Sequence, residues 1–147
     1  MTAPVSVKIL DSRAKLPAYG SAAAAGADLY ALTDGPVTVE PGGTALIHTG
    51  IALAIPEGYV GLVYARSGMA SPRGRAPANK VGVIDADYRG EVMIFLHNHG
   101  SDPQLVEHGD RIAQLVIAPY LTAQFQTVDE LDDTGRGAGG FGSTGSK

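Results

Sequence analysis

The sequence predicts an all-β fold, a jelly-roll-like β-sandwich or barrel with one short helix and a flexible glycine-rich C-terminal arm. Three observations lead there. Short runs rich in Val, Ile, Leu, Thr and Tyr recur along 147 residues, punctuated by 20 glycines and 9 prolines. No long helical stripe is present: Ala22–Ala25 has helical propensity, but Gly20 and Gly26 bracket it too closely for an isolated helix. Residues 135–147 are dominated by glycine, and burial there cannot offset the entropy of ordering them. The expected division is therefore a β domain over 1–134 and an arm over 135–147.

Taken in order, Val5-Ser6-Val7-Lys8-Ile9 alternates with period two, as a half-buried strand does. Val37–Val39 lies between Pro36 and Pro41-Gly42-Gly43, and Ala45–Ile55 follows. Pro56-Glu57-Gly58 is a turn signal, and Tyr59–Ala65 is again strand-like. A short helical turn is expected from Ser67 to about Pro72. Val81–Ile84 and Val92–Leu96 flank an acidic-aromatic segment ending in Gly90, which reads as a β-hairpin. Ile112–Tyr120 and Gln124–Val128 are the last expected strands.

The bulk chemistry excludes several roles. A formal net charge of −4 argues against a non-specific nucleic-acid binder. With no cysteine, there are no disulfides and no thiol chemistry. The longest smooth apolar run, near Ala45–Pro56, is too short for a bilayer, and the N-terminus lacks the pattern of a signal peptide. The expectation is a single-domain cytoplasmic protein with no nucleic-acid or membrane partner.

Five stretches carry chemistry. Gly26-Ala27-Asp28-Leu29-Tyr30 sets one acid inside an apolar strand, either an edge aspartate or a carboxylate near a phosphate-bound metal. Arg66-Ser67-Gly68 opens the expected helix, where Ser67 suits an N-cap and Arg66 suits a phosphate or solvent. Asn79–Met93 puts Asp85 and Tyr88 at the mouth of the apolar hairpin. In Gly109-Asp110-Arg111-Ile112-Ala113-Gln114-Leu115, Asp110 and Arg111 fit a turn and an ion pair, while Gln114 fits a polar strand face or a ligand contact. Residues 136–145 combine Arg136, Ser143 and Thr144 with glycines and Phe141, which suits an anion cradle or a solvated tail.

In this order the five stretches resemble the motif set of the trimeric deoxyuridine triphosphate nucleotidohydrolases, or dUTPases, from Ala25 to Thr144. Ala65 stands where many members have proline, and Met69 where leucine is common. The resemblance implies a dUTPase-like jelly roll and a homotrimer, with each active site shared between subunits. It implies Mg²⁺-assisted hydrolysis of dUTP to dUMP and pyrophosphate, lowering dUTP and supplying dUMP for thymidylate synthesis. By the same resemblance Asp85 activates the attacking water, and Asn79, Gly82, Val83, Ile84 and Met93 line the uracil pocket. Tyr88 packs on the deoxyribose and Phe141 stacks on the base. Arg66, Ser67, Gly68, Gln114, Arg136, Gly142, Ser143 and Thr144 bind the substrate around its phosphates, and Asp28 meets the metal indirectly, through water. Two alternatives share the fold: a dCTP deaminase and a nucleotide binder without hydrolysis. The first needs a glutamate where this chain has Phe95; the second has no use for Asp85 together with the arm.

Overall fold

The computed structural model describes residues 4–70 and 74–140. Its elements are β1 (Ser6–Ile9), β2 (Ala18–Tyr19), β3 (Ala27–Tyr30), β4 (Val37–Val39), β5 (Thr44–Ala54), β6 (Tyr59–Tyr64), α1 (Ser67–Ala70), β7 (Arg75–Pro77), β8 (Val81–Ile84), β9 (Glu91–Asn98), β10 (Gln104–Val106) and β11 (Arg111–Pro119). The strands form antiparallel sheets with orders β1-β5-β9-β7, β10-β4 and β2-β3-β11-β6-β8. This is the expected all-β, jelly-roll-like sandwich. No described helix is long and apolar enough to cross a membrane.

Alternation decides which side chains go inside. On β9, Val92, Ile94 and Leu96 are buried while Met93 and Phe95 face outward. Leu29, Ile47, Ile51, Leu96 and Ile112 are almost fully buried in the shared core. Burial of each such side chain contributes about 1.5–3 kcal/mol. Asn98 is buried as well, and its amide donates to Val39 O (2.9 Å) and Asp102 O (2.8 Å), tying β4 to the loop after β9. The long β5 contains a bulge: its pairing with β9 shifts register between His48 and Ala52, and Gly50 there has φ +70°. That left-handed value favours glycine.

Two expectations need correction. Val81–Ile84 and Val92–Leu96 do not pair as a hairpin: β8 bonds to β6, and β9 bonds to β5 and β7, in a different sheet. Gln124–Val128 forms no strand; residues 121–139 are all exposed, with Leu121 at 97% and Phe125 at 95%. The packed body thus ends near Pro119. The short strands β2, β7 and β10 were not anticipated, because two or three residues are too few to show a period.

Candidate active site

The separation of β8 from β9 creates the site. β8 is the last strand of its sheet, and only β6 pairs with it, with Ile84 opposite Gly61 and Tyr64 opposite Val81. β7 covers the free edge of β9 only from Leu96 to Asn98. Unpaired backbone edges of both strands therefore border the gap between them. That gap is a cavity of about 300 Å³ lined by Val63, Pro77, Asn79, Gly82, Val83, Ile84, Asp85, Tyr88, Glu91, Val92, Met93, Ile94 and Phe95. Its volume and apolar walls suit a small planar ligand, with exposed backbone groups to read that ligand's polar edge.

Local geometry fixes the rim. Lys80 has φ 66°, an uncommon left-handed value outside glycine, in the tight turn that carries Asn79 to the cavity wall. A side chain on Gly82 would come within 3.3 Å of Val63 Cβ and 3.4 Å of Asn79 Nδ2, so glycine keeps this wall open. After β8 the turn is tied by its own residues: Tyr88 N–H donates to Asp85 O (3.1 Å), and Arg89 donates to Ala86 O (2.6 Å) and Tyr88 O (2.9 Å). The Tyr88 hydroxyl donates to Glu91 O at 3.0 Å. Asp85 is exposed, and its carboxylate has no partner among the described residues. It also lines a second, polar cleft of about 560 Å³ with Glu57, Asp87, Arg89 and Tyr120. The carboxylate thus stands between an apolar pocket and a water-accessible cleft.

Glu91 anchors the base of the pocket to the β5 bulge. Its carboxylate accepts from Gly50 N–H (2.8 Å) and meets His48 Nδ1 (2.8 Å). Burial pushes this carboxyl up, but the hydrogen bonds from His48 and Gly50 outweigh it and hold it below its ordinary value.

A second, polar group lies in the β2-β3-β11-β6-β8 sheet, away from β8. Asp28 on β3 pairs with Gln114 on β11, which pairs with Tyr64 on β6, so their side chains share a face. Asp28 accepts from Arg66 Nε at 2.6 Å and from Arg111 at 3.4 Å. Arg66 keeps its terminal amino groups without a protein acceptor among the described residues. Gln114 donates to Ala65 O (2.9 Å), pinning the chain just before Arg66. Glycine at 26 leaves room for this, since a Cβ there would lie 2.7 Å from Gln114 Oε1. Ser67 and Gly68 follow on α1, both exposed.

The two groups do not meet within one chain. Ile84, next to Asp85, faces Gly61, whereas Arg66 lies beyond the far end of β6, roughly 16 Å away at 3.3 Å per residue. Arg136 is exposed and donates to Gly139 O (2.7 Å) in its own loop. Phe141, Gly142, Ser143 and Thr144 lie outside the described residues.

Several residues escaped the sequence reading. Glu91 had a visible signal, an acid opening an apolar strand. The pairing of Arg111 with Asp28 had none, since the two are joined only by strand register; Asp110, as expected, serves a turn, accepting from Glu107 N–H at 3.0 Å. Val63 and Pro77 enter the pocket from other strands and could not be placed by local pattern.

Known proteins resemble this chain over nearly its whole length. The sequence model of the dUTPase family matches residues 12–145. A deoxyuridine 5'-triphosphate nucleotidohydrolase from Syntrophotalea carbinolica is 56% identical over 144 residues, covering 98% of each chain. One from Desulfitobacterium hafniense is 53% identical over 136 residues, covering 92% of this chain and 90% of its own. Among solved structures, the Staphylococcus bacteriophage 80alpha dUTPase with dUPNHPP superposes with a TM-score of 0.85 at 33% identity, covering 98% of this chain and 99% of that one. A variant dUTPase from phage phi11 of S. aureus, solved with a structural Mg(II) ion in view, gives 0.79 at 29% identity, covering 88% and 99%. With the family model matched over residues 12–145 and relatives up to 56% identical over nearly its whole length, the chain belongs to the dUTPase family.

Proposed function

We propose that this chain is a dUTP diphosphatase that hydrolyses dUTP to dUMP and pyrophosphate, reading uracil in the gap between β8 and β9. The carrying observation is that gap, an apolar pocket with open backbone edges and Asp85 at its mouth. Uracil presents an acceptor at O4 and a donor at N3, and cytosine inverts both. A backbone-lined pocket therefore leaves buried groups unpaired with the wrong base, a difference of about 10⁴–10⁵. The wall at Gly82 approaches the ring closely enough to exclude the thymine methyl.

Asp85 supplies the carboxylate at the mouth of the pocket. It orients a water from the polar cleft and accepts its proton as the oxygen attacks the α-phosphorus. The bond from that phosphorus to the bridging oxygen of the β-phosphate breaks, releasing pyrophosphate. Arg66 offers its free amino groups to the phosphates, with Ser67, Gly68 and Gln114 beside it. A divalent metal, Mg²⁺ in this reading, supplies further charge neutralisation when bound on the triphosphate. Asp28 would meet such a metal through water, since each of its oxygens accepts from one guanidinium and keeps a lone pair for a water.

The same reading includes a homotrimer in a cytoplasmic setting. Support for assembly comes from the separation of Asp85 and Arg66 within one chain, roughly 16 Å between backbone positions along β6. The stretch from residue 121 onward, with Leu121, Phe125 and Leu131 exposed, is suited to reach a neighbouring copy. There the arm over 135–147 brings Arg136, Phe141, Gly142, Ser143 and Thr144 over the nucleotide.

The test is pyrophosphate release from dUTP, dTTP, dCTP and UTP side by side, with and without Mg²⁺. Release is expected from dUTP alone and only with the metal. Ammonia from dCTP, or binding of dUTP without pyrophosphate, would replace this reading with one of its two alternatives.

A further inference from the structure

We infer that Gly90 is a specificity-determining position, where the absence of a side chain sets the pose of Tyr88 and hence the choice between deoxyribose and ribose. This rests on the reading that Tyr88 packs against the sugar. Gly90 is not among the glycines with positive φ, so its backbone conformation is open to any residue. What excludes a side chain is the tyrosine ring. A Cβ on Gly90 would lie 2.6 Å from Tyr88 Cζ, 3.0 Å from its Cε2, and closer still to its hydroxyl oxygen.

The ring therefore folds back over the chain into the space that glycine leaves. Its hydroxyl is held there by Glu91 O at 3.0 Å. Two contacts thus pin one rotamer, while the ring remains 43% exposed and lines the cavity. Any side chain at 90 displaces the ring, breaks the bond to Glu91 O and opens the wall against which a 2′-hydroxyl would collide. Gly90 acts through Tyr88 and touches no reacting atom.

The experiment measures kcat/KM for dUTP and UTP, with Mg²⁺, in the wild type, Gly90→Ala, Tyr88→Ala and the double variant. Gly90→Ala is expected to lower the dUTP-over-UTP ratio by about tenfold. In the Tyr88→Ala background the same change should leave the ratio within about twofold, because the residue it displaces is gone. A wild type that does not discriminate, or a Tyr88→Ala variant that still does, would overturn the reading of Tyr88 and this inference with it. Loss of discrimination in Tyr88→Ala but not in Gly90→Ala would overturn the role of Gly90 alone, as would an equal Gly90→Ala effect in both backgrounds. Should Gly90→Ala fail to fold, circular dichroism of the double variant decides: a folded double variant supports the ring clash, and an unfolded one overturns it.

Discussion

The pocket between β8 and β9 and the Asp28–Arg66–Gln114 group share the β2-β3-β11-β6-β8 sheet only through β8 and β6, and are built on different physics. The pocket is an interruption in backbone pairing, walled by apolar side chains and by unpaired strand edges from a single chain. The polar group is a clasp, in which a half-buried carboxylate holds one guanidinium at 2.6 Å and leaves its outer donors free. Shape and backbone polarity discriminate between bases, whereas charge neutralises phosphates without regard to the base. In the proposed reading, one chain supplies the walls of the base pocket, while the phosphate-binding group of that same chain lies roughly 16 Å away along β6.

The largest effect should come from breaking both halves in different copies. Asp85→Asn is expected to lower turnover by about 10³-fold, with binding of a non-hydrolysable dUTP analogue nearly unchanged. Arg66→Ala should also be nearly inactive. Co-expressed, the two variants should recover activity in about a quarter of their sites if copies assort at random. Absence of recovery in verified mixed oligomers would mean that each chain carries a whole site.

A smaller effect separates the clasp from the pocket. Asp28→Asn keeps the shape and removes the charge that orients Arg66, so the KM for dUTP should rise by about tenfold. Discrimination between dUTP and dCTP should stay as it was. A parallel fall in discrimination would show that the halves are not independent.

The smallest effect concerns the anchoring of the pocket. The folded Glu91 carboxyl titrates below its ordinary value of 4.5, so the folded state binds fewer protons there than the unfolded chain. Its stabilisation is complete above that value and lost as pH falls through the depressed one. Glu91→Gln should therefore melt below the wild type at neutral pH, with the gap closing as pH falls below 4.5 and through the depressed value. A gap that is constant across that range would assign Glu91 a packing role only.

Much was legible from residues alone. Alternation located the long strands, since a side-chain period of two is a local property. The chemistry of Asp85, Arg66 and Gln114 could be singled out because polar groups in apolar runs are conspicuous. Strand partners were not legible. The splay of β8 from β9 depends on β6 capturing one and β5 the other, and Gln124–Val128 has a strand-like pattern but no described neighbour to bond.

By itself, then, the order of residues determined the β architecture, the family motifs and the type of chemistry, all of which follow from side-chain identity and short-range periodicity. Only the tertiary structure decided that the expected hairpin is an open pocket, that Asp28 holds Arg66 and that Gly90 makes room for Tyr88. Those are contacts between surfaces brought together by packing, and no local pattern encodes them.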